Sequence, residues 1–225
     1  MLSWPVRGAT RRRLGARLPR RDDSGAAAVE FALIAVLLLT LVFGIIEFSL
    51  VMRDSLSISS AVRTAARVAS AEAGAGACKP STPTCPVPLP NLAQDAANAV
   101  QRTGTAMPKD AIDELWVFRA NAAGLPTGAT SIETASCTTD CIKFRWVDAN
   151  DRFTYVSGSW TSSTIAACVG TNADGTSKAD GVGIYIKATH KFLMPLFGSS
   201  LTLRDRAAMQ FEPLANFQCK PGTHP

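Results

Sequence analysis

The chain has 225 residues, of which 47% are hydrophobic and 18% are charged, and its net charge is +5. This length and composition allow one or two domains with a folded core. The positive charge is local, because residues 1–24 contain seven arginines and two aspartates, whereas the remainder has 16 basic and 16 acidic residues. A nucleic-acid-binding surface would carry its basic residues on the folded domain, so we expect no nucleic-acid partner.

The first predicted elements are a basic cytoplasmic leader, residues 1–25, and a transmembrane helix, residues 26–46. The stretch from Ala26 to Ile46 contains one charged residue, Glu30, and as a helix it is about 32 Å long, the thickness of a bilayer's hydrocarbon core. The arginines before it should remain in the cytoplasm, which places the rest of the chain outside. A secretory signal peptide is the alternative, although its apolar region would usually be shorter and end in a small-x-small cleavage site.

The helix is predicted to continue beyond the membrane over residues 47–76. Neither proline nor glycine occurs between Ile45 and Ala73, and apolar residues recur at helical spacing, as at Ile58, Val62 and Ala65. Gly74 supplies a stop signal. We interpret Glu47 as an ordinary boundary residue near the outer interface, with a small cost of burial.

The start of the apolar helix resembles a known processing site. Arg20-Arg21-Asp22-Asp23-Ser24-Gly25 is followed by Ala26-Ala27-Ala28-Val29-Glu30-Phe31, similar to type IV pilin-like proteins, in which a basic leader and a glycine precede a hydrophobic helix with glutamate at its fifth position. More closely, the chain resembles the TadE-like pseudopilins of the tight-adherence (Flp pilus) system. The resemblance extends over residues 25–69 and to the C-terminal stretch 182–213, and it leaves residues 78–180 without a matching motif.

This resemblance implies a function in pilus assembly rather than an enzymatic one. It implies cleavage after Gly25 by a prepilin-type peptidase, with Ala26 as the new N-terminus and Glu30 and Phe31 in the processing site. The expected partners are this peptidase, other pilin-like or pseudopilin subunits, pilus assembly proteins and the lipid of the bacterial cytoplasmic (inner) membrane. The alternative is an uncleaved membrane-anchored extracytoplasmic binding domain, in which Glu30 simply extends to the interface.

Residues 77–90 are rich in proline and predict a stiff extended linker before an extracytoplasmic α+β domain, residues 91–225. Asn91 is expected to cap a helix over 92–102. Alternating apolar residues, as in Ile142, Phe144 and Trp146, predict strands that form an antiparallel sheet packed on helix, the pilin-like arrangement. The predicted strands are Glu114 to Arg119, Ile142 to Val147, Phe153 to Ser157, Val182 to Lys187 and Leu201 to Phe211.

The six cysteines all follow the apolar helix, and an even number outside the membrane indicates disulfides. Six cysteines permit 15 connectivities. Sequence proximity favours Cys78 with Cys85 and Cys137 with Cys141, which leaves Cys168 with Cys219.

Motifs for catalysis or metal binding are missing from the sequence. It contains no Gly-rich phosphate loop, G-x-S-x-G elbow or H-E-x-x-H helix, and the cysteine spacings lack the paired C-x-x-C of zinc sites. We therefore expect no catalytic residues, metal or cofactor. His190 is interpreted as a strand or loop residue rather than a general base. The apolar run from Phe192 to Phe197 is interpreted as core, with a partner-contact surface as the alternative.

Overall fold

The protein has an α+β fold with one long N-terminal helix followed by an antiparallel sheet and a second helix. This computed structural model confirms the fold class that the sequence predicts. Residues 1–23 of the leader, Cys85 and the run Pro195 to Phe197 lie outside the described residues. The structure describes residues 24–78, 87–103, 105–175, 177–194, 198–215 and 217–219.

The first helix, α1, extends over Ser24–Ala71 and has 48 residues. At 1.5 Å per residue it is about 72 Å long. It is the one helix among the described residues that is long and apolar enough to cross a membrane, with a mean hydropathy of 2.8 in its most apolar window. The chain divides into two compact units, Met1–Gly44 and Ile45–Pro225. In the described part of the first unit, Glu30 is the only charged residue and the helix is apolar on every side.

In the second unit, one face of α1 forms part of the protein core. Ile58, Val62, Ala65 and Ala69 are all at most 1% exposed, and their spacing of three and four residues places them on one side of the helix. The small alanine side chains allow close approach of the packed elements. One face of the 47–76 stretch therefore contributes to the folded domain's core, while its other side is exposed.

The second helix, α2, extends over Asn91–Thr103 and buries an alanine-rich face in the same core. Asn91, predicted to cap it, donates its side-chain amide to the carbonyl of Ala75 at 2.8 Å. The amide of Cys78 donates to Leu89 and that of Asn91 to Gly76. The described ends of the proline-rich stretch, at Cys78 and Leu89, thus lie side by side.

The central sheet has five antiparallel strands in the order β3-β2-β1-β6-β7, and a separate two-stranded sheet pairs β4 with β5. Each of the five predicted strands lies in the central sheet. The β4 and β5 hairpin was not predicted. The bounds are β1 Ile112–Ala120, β2 Cys141–Val147, β3 Arg152–Ser159, β4 Ala167–Thr171, β5 Ser177–Ala179, β6 Gly181–Lys191 and β7 Ser200–Gln210.

The two faces of the sheet carry different clusters. Leu115 and Ile184 face the main core, whereas Phe118 and its neighbours form a second cluster on the opposite face. The Phe118 ring lies directly over Gly183, where an added Cβ would come within 2.3 Å of the ring. Glycine at 183 is thus what allows the aromatic ring to lie flat on β6.

Two disulfides are present among the described residues, Cys137–Cys141 and Cys168–Cys219. The first borders the Phe118 cluster, and the second connects β4 to the C-terminal segment. Sequence proximity favours Cys137–Cys141, and Cys168–Cys219 is the pair that this assignment leaves. Cys78 is also disulfide-bonded.

Candidate functional site

The predicted processing site lies in the first turns of α1. Gly25 is the second residue of the helix, and no atom lies within 4 Å of the position that a Cβ would occupy there. Ala26 and Glu30 are exposed, and the Phe31 side chain is 73% exposed. Positions 26 and 30 are four residues apart, so their side chains lie on the same side of the helix, one turn from each other.

A second group of charged residues is buried deep in the folded domain. Glu47 and Asp54 lie two turns apart on α1, and His190 lies near the end of β6. Their exposed fractions are 3%, 4% and 5%, respectively. Charged side chains are rarely buried to this extent unless they are paired. We refer to Glu47, Asp54 and His190 as the buried triad.

His190 lies between the two carboxylates of the buried triad. Its Nδ1 is 2.7 Å from Oδ2 of Asp54, and its Nε2 is 4.0 Å from Oε2 of Glu47. The other Asp54 oxygen accepts from the Arg53 guanidinium at 3.1 Å, and the other Glu47 oxygen accepts from the backbone amide of Met194 at 2.7 Å. The triad therefore joins α1 to the end of β6 and to the segment that follows it, through hydrogen bonds strengthened by charge.

Two buried atoms of the triad face each other without a hydrogen bond. These are Oε2 of Glu47 and Nε2 of His190. An open groove of about 550 Å³, bordered by Leu50, Met107 and Lys191, runs beside them. The geometry is suited to holding two elements together, and we assign the triad a structural role.

The interpretation of Glu47 as a boundary residue with a small burial cost was wrong. Its side chain is buried because β6 and the Met194 segment cover it. His190 lies in a strand, as predicted. The sequence contained one weak signal of the triad, the seven-residue spacing of Glu47 and Asp54, which places both on one helix face. It held no indication that His190, 136 residues after Asp54, lies against them.

A further acidic pair lies where the C-terminal end of α1 meets α2. Burial raises the pKa of Glu72 to about 7, and the hydrogen bond with Asp95 and its negative charge add to this effect, whereas the charge of Arg102 opposes it. The Glu72 carboxyl thus keeps its proton to a higher pH than an ordinary glutamate does.

Comparison with known proteins finds a family match in the N-terminal segment. Residues 25–67 match the family model described as TadE, TadE-like protein. The chain is thus similar to TadE-like proteins over this segment. The match supports a role associated with the tight-adherence (Tad) pilus and interaction with other pilus components. No curated protein and no solved structure matches the chain.

The TadE-like segment covers about a fifth of the 225 residues and begins at Gly25. It contains all four predicted processing residues and the two carboxylates of the buried triad, whereas His190 lies far outside it. TadE-like proteins are structural, pseudopilin-type proteins and not an enzyme family. The single apolar N-terminal helix is consistent with a single-pass membrane anchor.

Proposed function

We propose that this protein is a minor pseudopilin that acts in assembly of a tight-adherence pilus, after cleavage behind Gly25 by a prepilin-type peptidase. One observation carries the proposal: the TadE-like match starts at Gly25, at the first turn of the helix that is apolar enough to span a membrane. The proposed location is the bacterial inner membrane, with the leader inside and the sheet domain outside.

Cleavage after Gly25 is supported by the chemistry of the residues that follow. The new N-terminus at Ala26 would carry an ammonium group, and Glu30 is one helical turn away, a rise of about 6 Å. Opposite charges attract strongly where water is excluded. Because Glu30 is exposed on α1, its carboxylate is available to its own N-terminus or to that of a neighbouring subunit.

The proposed orientation is supported by charge and by the cysteines. Seven arginines precede the apolar helix, and positive charge beside a membrane helix favours the cytoplasmic side. Disulfides form in oxidising compartments outside the cytoplasm, and both Cys137–Cys141 and Cys168–Cys219 belong to the sheet domain.

The two halves of α1 support different parts of the proposal. None of the residues between 25 and 44 is buried, and large apolar groups such as Phe31 and Leu33 are at least 70% exposed. Such a surface is stable in lipid or against other apolar helices. The outer half is already packed in the core on one face, so the membrane half is the part left to associate with pilin-like helices.

The test is the N-terminal sequence and intact mass of the protein from native membranes, compared between a parent strain and one lacking the prepilin-type peptidase. We expect a start at Ala26 in the parent and at Met1 in the deletion strain. Glu30→Ala should reduce piliation, whereas Glu133→Ala, at an exposed position of the sheet domain, should not. A Met1 start in both strains would refute processing and favour the uncleaved binding domain.

A further inference from the structure

The three residues after β6 form a small apolar tip that is held at both ends. The ring of Phe192 contacts the ring of His190 edge-on, with 5.4 Å between centroids. The amide of Met194 donates to Glu47. Between them, the side chain of Leu193 is 71% exposed. The interpretation of this run as core is therefore wrong at Leu193, since the fold positions an apolar side chain outward on a firmly anchored segment.

The hydrogen bond to Glu47 places this tip beside a particular point of the chain. Glu47 directly follows Ile46, the last residue of the apolar run that begins at Ala26. Next to it on α1, the side chains of Ile45 and Phe48 are 59% and 66% exposed. The tip thus lies beside the residues at which the lipid-facing surface of a membrane-spanning helix would end.

We propose that the Phe192–Met194 tip inserts Leu193 into the outer headgroup and acyl-chain boundary of the membrane that α1 spans. Lipid is the occupant that fits, because Leu193 is exposed on a segment that is hydrogen-bonded to Glu47, and the apolar residues on either side of Glu47's position on the helix, Ile45 and Phe48, are exposed as well. The apolar faces of interfacial amphipathic helices are buried about 5–10 Å into this same boundary.

Charge beside the tip is compatible with phosphate headgroups. Lys191 is exposed immediately before it, and the Arg53 side chain is 55% exposed. Asp110 is the exposed acid that borders the same groove. The two carboxylates nearest the tip, Glu47 and Asp54, are both buried and engaged by hydrogen bonds.

The buried triad gains a function from this arrangement. Each end of the tip is held by a member of the triad, since Phe192 packs on His190 and Met194 binds Glu47. Such anchoring reduces the conformational freedom that the segment would lose on contact with lipid. The sheet domain would then be held to the membrane surface by a second contact besides α1, which limits its rotation about the helix.

The test uses full-length protein reconstituted into phosphatidylcholine vesicles, with bromine on the acyl chains close to the headgroup. Leu193→Trp adds a fluorophore at the tip. The matched control is Val169→Trp, because Val169 is 62% exposed and lies on β4, which adjoins the opposite end of β6. The 11 residues of β6 separate these ends by about 33 Å. The native tryptophans contribute equally to both variants.

We expect bromine to quench the added emission of Leu193→Trp at least twice as strongly as that of Val169→Trp. Equal quenching would overturn the proposal. The unaltered chain provides an independent measurement, with a photoactivatable phosphatidylcholine and mapping of adducts by mass spectrometry. Adducts at Phe192–Met194 are expected, and adducts confined to α1 would contradict lipid insertion. The proposal requires only that α1 spans a bilayer, so its failure is distinguishable from failure of cleavage after Gly25.

Discussion

Removal of the imidazole at position 190 is the most direct test of the buried triad. In His190→Ala, Asp54 loses a 2.7 Å hydrogen bond while its side chain stays buried. Removing one partner of a buried pair typically costs 3–5 kcal/mol, because a charge remains without its partner. Arg53 still binds the other oxygen of Asp54. We therefore expect a loss of about 3 kcal/mol, at the lower end of that range.

This loss is measurable as a change in thermal stability. For a folded unit of this size, 1 kcal/mol shifts the melting temperature by about 2–4 °C, so we expect a decrease of roughly 6–12 °C. The assay is thermal unfolding of the full-length protein in detergent micelles, with the disulfides intact. Near-UV circular dichroism is a suitable signal, because Trp116 and Trp160 are buried in the domain.

The matched control is Thr189→Val, on the adjacent residue of the same strand. The Thr189 hydroxyl donates to Asp113 at 2.7 Å, but these side chains are only partly buried. Loss of such a hydrogen bond costs about 1 kcal/mol. Equal decreases in melting temperature for the two variants would show that the triad contributes no more than a partly exposed hydrogen bond, contrary to this prediction.

Two other perturbations test packing and protonation. In Gly183→Ala, the new methyl group would lie 2.3 Å from the Phe118 ring, so we expect the free energy of unfolding to fall by about 1–3 kcal/mol. The control is Gly181→Ala on the same strand, where the new methyl group meets no atom closer than 3.4 Å and should cost well under that. Equal losses in chemical denaturation would contradict the contact between Phe118 and Gly183. The pKa of Glu72 is about 7 in the folded protein and about 4.5 in the unfolded chain. Its contribution to the free energy of unfolding is therefore fully present below pH 4.5 and is lost as the pH rises through 7. The melting temperature of Glu72→Gln should lack this decline, and an unchanged pH profile would show that Glu72 is not its source.

Much of the fold could be predicted because the relevant signals are local. The absence of proline and glycine between Ile45 and Ala73 predicted a helix that continues beyond the membrane run, and α1 ends at Ala71. The alternation of Ile142, Phe144 and Trp146 predicted β2, where the first two side chains are fully buried. In both cases the residue pattern follows the geometry of the element itself.

The elements that were missed depend on contacts between distant residues. β4 and β5 are short and mostly exposed, and β4 is held by the Cys168–Cys219 disulfide across 51 residues. The buried triad depends on where the end of β6 meets α1, which the pairing of β6 with β1 and β7 determines. Neither arrangement leaves a periodic pattern in the sequence, since each is decided by packing rather than by local preference.

The C-terminal boundary of the TadE-like match, at residue 67, indicates a role for the buried triad beyond stability. Glu47 and Asp54 lie inside the matched segment, whereas His190 belongs to the part of the chain that the match does not cover. The triad is thus a place where the TadE-like helix binds the protein's own sheet. A helix that must enter lipid at one end and a core at the other needs a definite register between the two, and apolar alanine packing alone defines that register weakly. The two buried carboxylates define it more sharply, because Asp54 contacts His190 and Glu47 accepts from the amide of Met194, so that both ends of the Phe192–Met194 tip are held to α1.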